Sequence, residues 1–236
     1  CGFIGSHLVE KLIKTGWHVI GLDILPSHEA RNLNELINNE NFLYVEGDVR
    51  SLSDVKKAFS YPVDTVFHLA SVVGVKKYMD DPETLIDISF SGTKNIVNEC
   101  RASKARILFS STSEIFGKNP VVPWATSANR VLGPTSVDRW VYSTSKALCE
   151  HLLFSLQKNN EITMSIVRFF NAFGPRQSPI FLVSSAIDMT LRGEKPYLYD
   201  DGTATRCLTY IDDIISGMIK AATLHEAIGH SFNIGN

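Results

Sequence analysis

The sequence predicts an α/β protein built on a doubly wound parallel sheet, and three observations carry that prediction. Short runs rich in β-branched and apolar residues alternate with stretches of helical spacing along most of the 236 residues. The central runs are apolar at nearly every position, as strands covered on both faces must be. A chain of this length can bury one good core, or one core with a small satellite lobe.

The elements follow in order. Ser6 to Thr15 puts Leu8, Leu12 and Ile13 on one helical face, and Gly16 stands where a C′ glycine ends a helix. His18 to Asp23 (HVIGLD), Phe42 to Asp48 (FLYVEGD) and Asp64 to Ala70 (DTVFHLA) read as strands, with helical spacing at Leu52 to Phe59. Pro82 to Ser103 and Val141 to Asn159 are long helices on either side of a strand at Ala105 to Ser111 (ARILFSS). Strands at Thr163 to Phe169 and His230 to Asn236, and a helix at Asp212 to Leu224, complete the alternation. After Gly174 the pattern changes. Pro175, Pro179 and Pro196 punctuate a stretch with one helix, about Leu182 to Arg192, and short strands near Tyr197 to Tyr199 and Arg206 to Thr209. The expected division is therefore 1–174 for the sheet domain, 175–229 for a small substrate-binding lobe with a helix returning to the sheet, and 230–236 for the last strand. Ligands of such sheets bind at the carboxyl edge, where the lobe is inserted.

Composition excludes several partners. A net charge of −2 and 20% charged residues give no basic surface for nucleic acid or an anionic membrane. No apolar run approaches the roughly 18–20 residues of a membrane span, and no signal peptide precedes the fold. Cys1, Cys100, Cys149 and Cys207 are widely spaced and form no CxxC, which favours a reduced cytoplasmic setting and no metal.

Gly2, Phe3, Ile4 and Gly5 run directly into the first helix. Two glycines at this spacing are a weak signal alone, and a plain strand-to-helix turn has the same pattern. The context strengthens it, because the free N–H groups and positive dipole end of the helix then face the loop and suit a pyrophosphate. The next strand ends at Asp23, whose carboxylate can accept from both ribose hydroxyls of NAD and repel the 2′-phosphate of NADP. As an alternative, Asp23 caps its own loop. Asp48, at the end of the following strand, is placed for the adenine amino group, with Val49 offering a backbone contact. Leu69, Ala70 and Ser71 end the next strand with side chains that allow close approach of a cofactor, while His68 reads as structural. NAD is the expected cofactor. A loop this intact calls for a strand and a glycine in front of it, so the expectation is a Rossmann-type sheet with its first strand missing. The chain also stops on a strand end, and it reads as a fragment truncated at both ends.

Tyr142 and Lys146 stand at i and i+4 and project from one helical face. Such a pair is common on surfaces. Here it is joined by SSTSEIFG (Ser110 to Gly117), which leaves the carboxyl end of a strand and supplies the hydroxyl of Thr112. A free phenol titrates near ~10, but a neighbouring ammonium and a nicotinium charge can bring it to about 7, a change worth roughly 4 kcal/mol. Tyr142 then removes a proton from a sugar hydroxyl, Lys146 holds the ribose and the phenolate, and Thr112 orients the hydroxyl.

Taken together, GFIGSHL, the acid in GLDI, GDV, HLAS, SSTSEIFG, YSTSK, RFFNAFGPR, TRCLTYIDD and NIGN resemble the extended short-chain dehydrogenase/reductase family, in its nucleotide-sugar epimerase, dehydratase and decarboxylase branch. The motifs span nearly the whole chain in the family's order. The resemblance implies that Thr112, Tyr142 and Lys146 are catalytic, that Phe170 lies by the nicotinamide and that Asn171 contacts the nucleotide sugar. It also implies that Arg206 clamps the substrate diphosphate, a task suited to a guanidinium fork. A homodimer is implied as well, packing the Pro82–Ser103 and Val141–Asn159 helices into a four-helix bundle through Leu148, Leu152, Ser155, Ile96 and Cys100. Two departures stand out: Ser89 replaces an Asn that the family commonly shows, and Phe116 replaces a Tyr.

Members of this branch first oxidise the sugar at C4, and the fate of the ketone separates them. Glu114, the fourth catalytic candidate, follows Thr112-Ser113 in a TSE string similar to those of uronate decarboxylases and GDP-mannose dehydratases, and found in epimerases too. The Asp-Glu pair of dTDP-glucose dehydratases is absent. GPTSVDRWVYS (Gly133 to Ser143) resembles the uronate-handling enzymes, with Arg139 placed to meet a carboxylate or to tie down its own loop. The favoured reading is a 4-epimerase of a UDP-sugar, of the UDP-glucose or UDP-glucuronate type. UDP-glucuronate decarboxylase is the alternative, followed by a 4,6-dehydratase. An NAD-sensing scaffold is the non-enzyme alternative, against which Tyr142 and Lys146 both survive.

Overall fold

In the computed structural model the described residues are 1–197 and 201–235, with Lys77 and Tyr78 described by their backbone alone. The chain runs α1 (Phe3–Lys14), β1 (Val19–Asp23), β2 (Phe42–Glu46), α2 (Leu52–Ala58), β3 (Thr65–His68), α3 (Val75–Asp80), α4 (Pro82–Ser103) and β4 (Arg106–Thr112). It continues through α5 (Val141–Lys158), β5 (Thr163–Phe169), β6 (Asn171–Phe173), α6 (Leu182–Leu191), β7 (Leu208–Tyr210), α7 (Ile211–Thr223) and β8 (Ser231–Ile234).

Local chemistry sets several boundaries. Ser51 caps α2 by accepting from the Asp54 amide at 3.3 Å, and Asp81 caps α4 by accepting from the Thr84 amide at 3.0 Å, with Pro82 in the first turn. Gly16 follows α1 with φ +87°, the left-handed turn expected of a C′ glycine. The first helix starts earlier than the spacing suggests: Gly2 is the N-cap, and Phe3, Ile4 and Gly5 form the first turn.

All strand pairs are parallel. β3, β4, β5 and β8 form one sheet in that order, and β1 pairs with β2 in a second that is not hydrogen-bonded to the first. β6 and β7 make a third, two-stranded sheet beyond the end of β5. The sequence reading missed β6 and α3, and it placed the strand at Arg206 to Thr209 two residues early. The short strand expected near Tyr197 to Tyr199 falls, from Leu198 onward, outside the described residues.

Alternation along β4 shows why the central strands are apolar throughout. Ile107 and Phe109 face one core with Met164 and Ile166 of β5, Ile96, Val97 and Cys100 of α4, and Cys149 and Leu153 of α5. Leu108 faces the other with Val167, Leu8 and Leu12 of α1, and Ile211, Ile214 and Met218 of α7. Each such aliphatic side chain contributes about 1.5–3 kcal/mol on burial. This packing corrects one expectation. Ile96 and Cys100 are buried against the sheet and cannot form an outward dimer face, whereas Leu148 and Ile86 are exposed.

The registers Thr112↔Phe169 and Phe169↔Ile234 bring the carboxyl ends of β4, β5 and β8 to one level. The site is built along that edge.

Candidate active site

Thr112 ends β4 with its side chain largely buried, and its Oγ1 accepts from the Glu114 amide at 3.2 Å, which starts the short turn Ser113–Phe116. Tyr142 and Lys146 lie on the first turns of α5. Lys146 is 2% exposed and donates from Nζ to the Ser110 carbonyl at 2.8 Å, with the ammonium 4.8 Å from the Phe109 ring centre. Burial pulls its pKa down to about 8. A carbonyl from β4 thus fixes the lysine that stands one turn below the tyrosine.

These groups share a cavity of about 1490 Å³ that also runs through the gap between β1 and β3. Its wall includes Gly2, Phe3, Ile4, Gly5, Asp23, Asp48, Val49, Leu69, Ala70, Ser71, Thr112, Glu114, Tyr142, Lys146, Phe170, Asn171 and Arg206, but not Arg139. Their surroundings differ. Asp23 accepts from the Leu25 amide at 3.1 Å. Asp48 is held by Arg50, which donates from its amide, Nε and Nη2 at 2.8, 2.9 and 2.6 Å, and this lowers the Asp48 pKa. A carboxylate has roughly four acceptor positions, so little remains of Asp48 for an adenine amino group. The Val49 carbonyl is likewise engaged by Asn95 at 3.0 Å.

Phe170 lies 6.1 Å from Trp124 between ring centres, and Trp124 lies 5.1 Å from Phe116. Phe116 is fully buried, so phenylalanine suits that position. Asn171 donates from its amide and Nδ2 to the Cys207 carbonyl, both at 3.2 Å, which joins β6 to the approach of β7. Arg206 is exposed and has no acidic partner among the described residues.

His68 is buried, with Nε2 3.0 Å from Thr93 Oγ1, and burial followed by the Lys146 charge pushes its pKa down to about 3. It is a neutral packing residue. Ser89, at the family's Asn position, has a buried Oγ without a partner, while its carbonyl accepts from Cys149 Sγ at 3.2 Å.

Two ion pairs organise the site. Arg139, just before α5, pairs with Glu114, just after β4. Arg168 of β5 grips Glu150 of α5 with Nε–Oε1 at 3.0 Å and Nη2–Oε2 at 2.6 Å, each side chain being 7% exposed. Its Nη1 donates to the Thr126 carbonyl at 2.7 Å, and the guanidinium lies 5.4 Å from the Phe116 ring centre. The Arg168–Glu150 pair was missed from the sequence, although a charge inside an apolar strand was the available signal. Also missed on the cavity wall were Gln177, Phe181 and Leu182.

The residues present fit a dinucleotide. Gly2 carries no side-chain cap, a Cβ there would meet nothing within 4 Å, and one at Gly5 would meet only Leu69 at 3.9 Å. The unpaired amides of the first turn of α1 therefore open onto the cavity, as a diphosphate requires. Among the described residues no group of three or more His, Cys, Asp and Glu gathers around a metal position, and no helix is long and apolar enough to cross a membrane.

Comparison with known proteins agrees with this geometry. The chain is 34% identical over 239 residues to UDP-N-acetyl-alpha-D-glucosaminuronate decarboxylase of Bacillus cytotoxicus, covering 100% of this chain and 72% of that protein. It is 30% identical to UDP-glucuronic acid decarboxylase 1 of Xenopus tropicalis, covering 100% of this chain but 54% of that protein. Among solved structures, the UDP-glucose 4-epimerase of Thermotoga maritima with UDP-glucose superposes with a TM-score of 0.87 at 28% identity, covering 100% of this chain and 74% of that one. The sequence pattern of one family matches residues 1–235. The chain belongs to the NAD dependent epimerase/dehydratase family.

Proposed function

We propose that this protein oxidises a UDP-hexuronate at C4 and decarboxylates the resulting 4-keto acid. The observation that carries this reading is the Glu114–Arg139 pair, whose Glu114 lines the cavity shared with Thr112, Tyr142 and Lys146. A Glu114 carboxylate committed to a guanidinium is a poor base for a C5 proton, which counts against dehydration. The guanidinium itself can exchange Glu114 for a substrate carboxylate in the same fork geometry. The two decarboxylase relatives support the choice, and they move it ahead of the 4-epimerase favoured by the sequence. The 4-epimerase stands second, supported by the likeness to the Thermotoga structure.

In this reading the first turn of α1 and Asp23 hold NAD, and bound NAD supplies the hydride acceptor. Tyr142 takes the proton of the C4 hydroxyl, while the buried Lys146 ammonium stabilises its phenolate. Thr112 Oγ1 donates to the oxygen at C4 and keeps its lone pair aligned. The 4-ketone is β to the uronate carboxylate, so the electrons of the breaking bond to carbon dioxide delocalise onto the ketone oxygen. Thr112 and the protonated Tyr142 are the donors for that developing charge. C5 then takes a proton from solvent, and C4 takes back the hydride and its oxygen the Tyr142 proton, so the product is lighter by one carbon dioxide only. Asn171 and Arg206 hold the nucleotide and its diphosphate. A homodimer through the exposed faces of α4 and α5, including Ile86 and Leu148, belongs to the same reading.

The test is to incubate the full-length protein with UDP-glucuronate and UDP-glucose and follow mass and proton spectra. A product lighter by one carbon dioxide supports the proposal. An unchanged mass with inverted C4 makes it an epimerase, and loss of one water makes it a dehydratase.

A further inference from the structure

Between β6 and β7 the described stretches 175–197 and 201–207 are anchored near Pro175 and near Cys207. Helix α6 has no buried residue, and Leu182, Ile187 and Leu191 are all exposed. Most of its other residues are half-buried, and hydrogen bonds near Pro175 and Cys207 add to that packing. At the far end the Cys207 carbonyl is bound by Asn171. At the near end three contacts reach α1, the helix whose first turn faces the dinucleotide. His7 Nε2 lies 3.0 Å from the Pro175 carbonyl, Arg176 Nη2 lies 2.7 Å from Glu10 Oε2, and Arg176 Nη1 lies 3.4 Å from Ser6 Oγ.

The backbone at Arg176 sharpens the point. Its φ is +67°, in the left-handed region that costs every residue but glycine. Lys104 and Asn160 share that conformation, and what distinguishes Arg176 is that its side chain spans to Glu10 and Ser6 of α1. Glu10 is shared between Arg176 and Lys14, and those two cations hold its pKa down to about 2, so the contact is fully charged at neutral pH.

We propose that Arg176 is a positioning residue, a latch that registers the 175–207 segment, and with it Arg206 and Gln177, against the cofactor helix through Glu10 and Ser6. The proposal rests on the reading of Arg206 and Asn171 as nucleotide-sugar contacts. In the proposed reading NAD is held by backbone amides of the first turn of α1, whereas the latch uses the Ser6 and Glu10 side chains, so the latch acts on the sugar nucleotide and leaves cofactor affinity alone. Nor does it touch the Tyr142–Lys146 chemistry.

The experiment measures UDP-glucuronate binding by calorimetry and steady-state kinetics on the full-length NAD-loaded protein, for wild type, Arg176→Ala, Arg176→Lys, Glu10→Gln and the double Arg176→Ala/Glu10→Gln. The expected result is a KM and Kd raised about 3–10-fold in Arg176→Ala and Glu10→Gln, with kcat within about twofold and NAD affinity unchanged. The double variant should be no worse than the worse single one, because both remove the same contact. Arg176→Lys should recover part of the loss. Unchanged Kd in both single variants overturns the latch, as do additive effects or a kcat that falls together with the melting temperature. If wild type binds neither UDP-glucuronate nor UDP, the reading of the site fails and the latch with it.

Discussion

Arg139 and Glu114 pair across the seam where β4 ends and α5 begins, so one ion pair links the strand that presents Thr112 to the helix that presents Tyr142. The two residues stand beside the chemistry without belonging to the proton-transfer pair. If Arg139 recognises the uronate, Arg139→Ala should raise the KM for UDP-glucuronate about tenfold or more while changing that for UDP-glucose little. Equal effects on both sugars would show that Arg139 only ties its loop. Glu114→Gln keeps the shape and should cost turnover no more than about tenfold. A loss of about 10²–10⁴-fold would instead mark Glu114 as a general base and favour dehydration.

Tyr142→Phe should retain NAD and remove nearly all turnover, since only the phenolic proton acceptor is lost. The expected reduction is about 10²–10⁴-fold. Cofactor content by absorbance and rate by product analysis check it, and a variant with more than a tenth of the wild-type rate would disprove the assignment.

Lys146 links stability to alkaline pH. Its ammonium is costly to bury, so the folded pKa of about 8 lies below the ordinary 10.5. Between those values the unfolded chain binds the extra proton, and stability rises with pH. Relative to Lys146→Met, cofactor-free wild type should gain on the order of 3 kcal/mol from pH 8 to 10.5. Urea melts at the two pH values measure the difference, and parallel behaviour of the two proteins would refute it.

His68 acts at the acid end. Its folded pKa of about 3 lies below the ordinary 6.5, so on acidification the unfolded chain takes up a proton that the folded one refuses. Stability is complete above pH 6.5 and falls as pH drops toward 3, by up to about 5 kcal/mol. His68→Gln keeps a partner for Thr93 and should lose this acid dependence. An identical acid slope in the variant would mean that other groups control it.

Much of this was legible in the sequence because a parallel sheet brings every strand's carboxyl end to one edge. Gly5, Asp23, Thr112 and Asn171 are far apart in sequence, yet motif order alone was enough to expect them on one wall. Helix faces were harder. Ile96 and Cys100 have the spacing of an apolar stripe, but spacing does not say whether the sheet or another subunit covers it. β6 and β7 are three residues long, too short for any periodicity to show. Arg168 and Glu150, eighteen positions apart, make sense only as a pair, and Arg176's left-handed backbone has no signature in a string of side chains.

The Arg168–Glu150 grip has a consequence in the currency of descent. Neither residue lines the cavity, yet together they bolt the tyrosine helix to the strand leading to Phe170 and Asn171. The residues that the proposed reading makes decisive for the ketone, Glu114 and Arg139, sit outside that bolt, half-buried on short turns. A lineage can therefore exchange them without loosening Tyr142 from its lysine. Divergence in product then costs no divergence in frame, and one ancestral scaffold can leave descendants that share an oxidation and disagree about everything after it.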